Sequence, residues 1–135
     1  MDERTTSIFN DSLERCTQDP RFLKRFYELF LSSDPRVAKY FEHTDFSHQN
    51  RMLRRSLYIM MLAGQDNAAA LEEIGAIARR HGPKDLGITV YMYELWLESL
   101  CQVVRELDPH ATEATVAAWA SVMRHGIALM LEGQH

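Results

Sequence analysis

Apolar residues recur along this chain at the three- and four-residue spacing of helices that bury one face. Phe22, Leu23, Phe26, Tyr27, Phe30 and Leu31 form such a stripe. Asp19-Pro20 before it is a start signal, because aspartate can accept a first-turn N–H and proline fits the first helical position. Ser33-Asp34-Pro35 ends that helix and opens a short helical turn carrying Val37, Ala38, Tyr40 and Phe41. Thr44 or Asp45 then starts a longer helix through Met61, with Gln49, Leu53, Leu57 and Met60 or Met61 along one face. Gly64-Gln65-Asp66-Asn67 breaks the pattern, and Asn67 can cap a helix from Ala68 to about Arg80. Its stripe of Ala70, Leu71, Ile74, Ile77 and Ala78 reaches His81 one step later. Gly82-Pro83 ends it, with the glycine expected in a left-handed cap.

A long helix is predicted from about Ile88 to Leu107, with Tyr91, Leu95, Leu100, Val103 and Val104 as its stripe and Asp108-Pro109 as its stop. Thr112 can cap the last helix, which bears Val116, Trp119, Val122, Met123, Gly126, Ile127 and Met130. Glu113 suits its positive first turn, but Thr115 stands where a capping box has an acid or amide, so no full box is expected. Ile8, Leu13 and Cys16 predict a modest first helix over residues Ser7 to Cys16. No segment alternates with period two for long enough to be a strand. The fold class is therefore all-α, six or seven helices in one domain spanning residues 1–135.

At 135 residues, the chain has room for one core and little more. The share of hydrophobic residues, 46%, against 25% charged excludes a disordered chain. A net charge of -4 gives no reason to expect a nucleic-acid or anionic-membrane partner. No uninterrupted run of 18 or more apolar residues occurs, and Met1 to Thr6 lack the apolar stretch of a signal peptide. Cys16 and Cys101 have no CxxC spacing and read as reduced thiols, so a cytoplasmic location is expected.

Six histidines are present, yet none forms an HExxH pair or a zinc-type Cys/His set, and no GxSxG or GxGxxG occurs. His81 stands out because it extends an apolar stripe at a helix end. That position suits first of all a histidine stabilised by the helix dipole, with an imidazole held inward as a haem axial ligand as the alternative. Tyr27 is either a core tyrosine or a hydroxyl donor inside a gas-binding pocket. Gln49 sits at the edge of its helix's apolar face. Tyr40, Phe41 and the methionines Met52, Met60 and Met61 read as core residues.

Together these positions resemble the globin family, most closely bacterial single-domain globins and the globin part of flavohaemoglobins, over roughly residues 6 to 131. Phe26-Tyr27-Glu28-Leu29-Phe30, Asp34-Pro35 and Tyr40-Phe41 are similar to that family's second and third helices, and Ala78-Arg79-Arg80-His81 to its proximal motif. Fourteen positions from Tyr27 to Phe41, thirty-two from Gln49 to His81 and ten from His81 to Tyr91 suit the family at once. The resemblance implies a globin fold around haem b, with His81 as the iron ligand. It implies Tyr27 and Gln49 as the distal residues that stabilise a bound ligand. Phe41, Gln49, Leu53, Leu57 and Tyr91 then line the cofactor, Tyr91 as the tyrosine that orients the proximal histidine. Arg51, Arg54, Arg55, Arg79, Arg80 and Lys84 are possible propionate partners, while Glu132 looks displaced from a proximal hydrogen-bonding role. The expected ligands are O2, NO and CO, bound reversibly and with no catalytic residue named. NO dioxygenation with a separate reductase, or a globin-fold sensor or interaction module, is the alternative function. A homodimer is a further possible partnership.

Overall fold

The computed structural model describes residues 1–82 and 86–133. Among these, seven helices follow one another: α1 (Glu3–Gln18), α2 (Phe22–Ser33), α3 (Pro35–Tyr40), α4 (Phe46–Ala63), α5 (Ala68–His81), α6 (Val90–Leu107) and α7 (Glu113–Gly133). Every helix expected from the periodicity is present, and the described residues contain no strand.

Most starts are capped as their sequences predict. Asp45 rather than Thr44 caps α4, accepting from the Ser47 N–H at 3.0 Å. Asn67 caps α5 through Ala70 N–H, also at 3.0 Å. Three starts differ from expectation. The first helix begins at Glu3 rather than Ser7, because Asp2 caps it by accepting from Thr5 N–H at 2.8 Å. Asp19 closes α1 instead of opening α2, its carboxylate accepting from Arg21 N–H, so α2 begins only at Phe22. At α6 the start moves from Ile88 to Val90, because Thr89 is extended and its hydroxyl caps Met92 N–H. The start of α7 is better capped than its sequence suggests. Thr115 N–H lies 3.3 Å from the Thr112 hydroxyl, and Thr112 N–H donates back to the Thr115 hydroxyl at 3.0 Å. A second threonine thus does the work of the acid in a capping box.

The end of α5 also departs from expectation. Gly82 is extended, not left-handed, and the positive φ of +62° falls instead at Gly87. Pro83 lies outside the described residues. The chain returns so that Leu86, Gly87 and Ile88 N–H donate to the carbonyls of Arg80, Gly82 and His81 at 2.9–3.2 Å. These bonds satisfy acceptors that the helix end leaves open. They also bring the start of α6 back beside His81.

All seven helices contribute to one apolar core, in which Phe9, Phe22, Phe26, Leu57, Leu100, Val103, Val104, Trp119 and Met123 are fully buried. The most heavily embedded helix is α7, which packs against α1, α4, α5 and α6. Its length and apolar character alone would suit a membrane span, but half of its apolar window is buried in the fold, as in a core helix. One polar cluster is buried with the core. Asp108, at the end of α6, accepts from Ser12 Oγ at 2.6 Å and from Arg15 at 2.7 and 2.9 Å. Trp119 Nε1–H donates to the same Ser12 hydroxyl at 2.8 Å. The cluster clamps α1 to the corner between α6 and α7.

Candidate functional site

The first wall of the site is aromatic. Tyr27, only 5% exposed, lies on α2 with its ring 5.0 Å from Phe26, 5.8 Å from Phe41 and 5.2 Å from Phe46. Phe41, just past α3, stacks on Phe46 at 6.2 Å. Phe46 is not marked by the periodicity, although it stands directly after the Asp45 cap and one turn before Gln49. Inside this box the half-buried Gln49 side chain lies beside the Tyr27 hydroxyl. Burial pushes the Tyr27 hydroxyl up to about 12, opposed in part by the neighbouring Gln49 side chain, so the phenol keeps its proton at neutral pH. Leu53 and Leu57, the next turns along α4, are buried in the core. The structure therefore brings Tyr27, Phe41 and Gln49 together and sets Leu53 and Leu57 on the same face of α4.

The second wall is built by the chain reversal after α5. His81 is half-buried, and its Nδ1 lies 3.1 Å from Tyr93 Oη. Burial, with a smaller contribution from the Arg80 charge, holds the imidazole below its ordinary 6.5, so it is neutral at pH 7. Tyr93 corrects the expectation placed on Tyr91. Tyr91 is 46% exposed and stacked under the Arg36 guanidinium at 5.2 Å, so it faces α3 and not His81. The cause is the later start of α6: its inward face in the first turn is Met92 and Tyr93. Continuing the buried stripe backward from Val104 through Leu100 and Leu97 lands on Tyr93, which is 5% exposed. That stripe is the signal the sequence offers for Tyr93. Glu132 is exposed. Of the basic candidates, Arg55 is ion-paired to Glu73 of α5, Arg51, Arg54, Arg79 and Arg80 are exposed, and Lys84 lies outside the described residues.

These residues fit the haem that the fold type implies. Haem ligation needs a neutral imidazole nitrogen. Tyr93 at Nδ1 fixes the ring, and with the proton on Nδ1 the lone pair sits on Nε2.

No family model matches the sequence, and no curated protein aligns with it. The chain superposes on the crystal structure of a protein from Pseudomonas aeruginosa PAO1 that is structurally highly homologous to a human haemoglobin. The TM-score is 0.91 at 28% identity, over 96% of this chain and 98% of that one. An all-helical architecture matched at this level defines a haemoglobin-like protein. The chain has the globin fold and resembles the globin family.

Proposed function

We propose that this globin binds haem b through His81 and, on it, reversibly binds O2 and other diatomic gases such as NO and CO. Haem supplies an iron with one position open to a diatomic ligand. The carrying observation is the His81–Tyr93 hydrogen bond, which holds the ring by one nitrogen and leaves Nε2 for a metal. Tyr27, protonated at neutral pH, and Gln49 supply two hydrogen-bond donors to a polarised ligand. Phe41, Phe46 and Leu53 keep water from these donors, and hydrogen bonds strengthen when water is excluded.

The test is optical. The purified protein, reconstituted with haem, is expected to show a Soret band that is lost in His81→Ala. A colourless wild-type protein after reconstitution overturns the proposal, and so does an unchanged band in the variant.

A further inference from the structure

Two glycines on α7 lie at the points where this helix meets the two helices of the site. A methyl group added at Gly133 would stand 2.7 Å from the Ala78 side chain of α5, closer than carbon atoms approach without something moving. A methyl at Gly126 would stand 3.0 Å from Met60 Cγ and 3.4 Å from Met60 Cβ, on α4. The two glycines are seven residues apart, so they share one face of α7 about 10 Å apart along its axis. Their partners sit on the inward faces that carry the site. Ala78, fully buried, is one turn before His81, and Met60 continues the buried row of Leu53 and Leu57 that follows Gln49.

We infer that Gly126 and Gly133 are positioning residues: their missing side chains let α4 and α5 seat closely on α7 and so set the spacing between the Gln49 wall and the His81 wall. Helix propensity alone would favour alanine over glycine at the interior position Gly126, whereas Gly133 is the last residue of α7, where glycine is a common helix ending. At Gly126, then, space is the reason for glycine, and at Gly133 the Ala78 contact adds a steric reason to the helix ending. Ala78 Cβ is fixed to the backbone, so a methyl at Gly133 is relieved by a shift of backbone, and a shift of α5 would tilt His81 with it. Met60 can partly swing aside, so a methyl at Gly126 acts more weakly and on α4 only.

The inference rests on the haem reading, and its test separates the two. Gly133→Ala and Gly126→Ala are compared with the wild type, and Ala78→Gly is added to Gly133→Ala as the rescue. In the haem-free protein, Gly133→Ala should unfold at lower urea concentration, with Ala78→Gly restoring the midpoint. Overpacking of this kind corresponds to roughly tenfold or more in the folding equilibrium. In the haem-loaded ferrous protein, Gly133→Ala should shift the iron–histidine stretching band, and the double variant should return it. Gly126→Ala should leave that band alone and alter the C–O stretch of the carbon monoxide form. A wild type that takes up no haem removes both readings. A wild type that takes up haem, with the iron–histidine band unmoved by Gly133→Ala, overturns the positioning role alone. It does so even if stability falls, because the end of α7 then yields rather than α5. A Gly133→Ala variant as stable as the wild type overturns it too.

Discussion

Replacing Asp108 by asparagine tests the clamp that holds α1 to the α6–α7 corner. The carboxylate is fully buried as a side chain and receives the Ser12 hydroxyl, two Arg15 N–H groups and the His110 backbone N–H. Asparagine keeps the volume but presents an NH2 group to one of these donors and removes the charge opposite Arg15. Breaking a buried ion pair from one side costs about 3–5 kcal/mol. Arg15 is 31% exposed, so water recovers part of its charge, and asparagine retains one acceptor oxygen. The expected loss is therefore about 2–3 kcal/mol. For a chain of this length that lowers Tm by roughly 6–15 °C. Thermal and urea unfolding at pH 7, in one cofactor state, measure it. The pH dependence gives an independent check. Burial pushes the Asp108 carboxyl up, but Arg15, Ser12 and the His110 N–H together outweigh it and hold the group below its ordinary 3.8. Because the folded-state value is depressed, the wild type holds its full advantage above that ordinary value. The advantage disappears as pH falls through the lower, folded-state one. Wild type and variant should thus converge in strong acid. A loss under about 0.5 kcal/mol at pH 7, within the range of ordinary surface substitutions, refutes the clamp. A difference that persists undiminished in strong acid does the same.

Two further outcomes follow from the site. Tyr93→Phe should change the iron–histidine stretching band of the haem-loaded protein and cost about 1 kcal/mol of stability, while Tyr91→Phe leaves the band where it is. The opposite pattern would return the orienting role to Tyr91. Tyr27→Phe should accelerate O2 release by about 10- to 150-fold, the kinetic equivalent of one charge-assisted hydrogen bond of ~1.5–3 kcal/mol, measured by stopped-flow ligand displacement. An unchanged release rate removes Tyr27 from the ligand.

Local rules made much of this fold legible. Asp34, Asp45, Asn67 and Thr112 each announce a helix start by a hydrogen bond spanning two or three residues, and the structure contains those bonds. The aromatic wall was legible for a related reason, since Phe26, Tyr27 and Phe30 lie within one helix and Phe41 and Gln49 follow shortly. What escaped detection depends on distant partners. Asp108 reads locally as turn punctuation before a proline, but its buried contacts come from Ser12 and Arg15, ninety-six and ninety-three positions earlier. Gly126 reads as a small residue in an apolar stripe until Met60 is seen against it.

Tyr91 and Tyr93 show how a small error in a helix start becomes an error about function. Counting from His81 placed an orienting tyrosine ten residues on, which would serve if α6 began at Ile88. Three hydrogen bonds from residues 86–88 to the end of α5 use that stretch as a cap instead, and Thr89 delays the helix to Val90. Positions 91 and 93 differ by about 200° around a helix. The shorter helix therefore points Tyr93 at the imidazole and sends Tyr91 to Arg36 and Asp34 on the far side. The backbone bonds that close one helix thus select which side chain reaches the histidine, and a phenol there leaves the imidazole neutral where a carboxylate would draw its proton away. Tyr93→Glu turns that distinction into a measurement: it should raise the iron–histidine stretching frequency of the haem-loaded protein, where Tyr93→Phe lowers it. Equal frequencies in the two variants would show that the group at Nδ1 does not govern the ligand nitrogen.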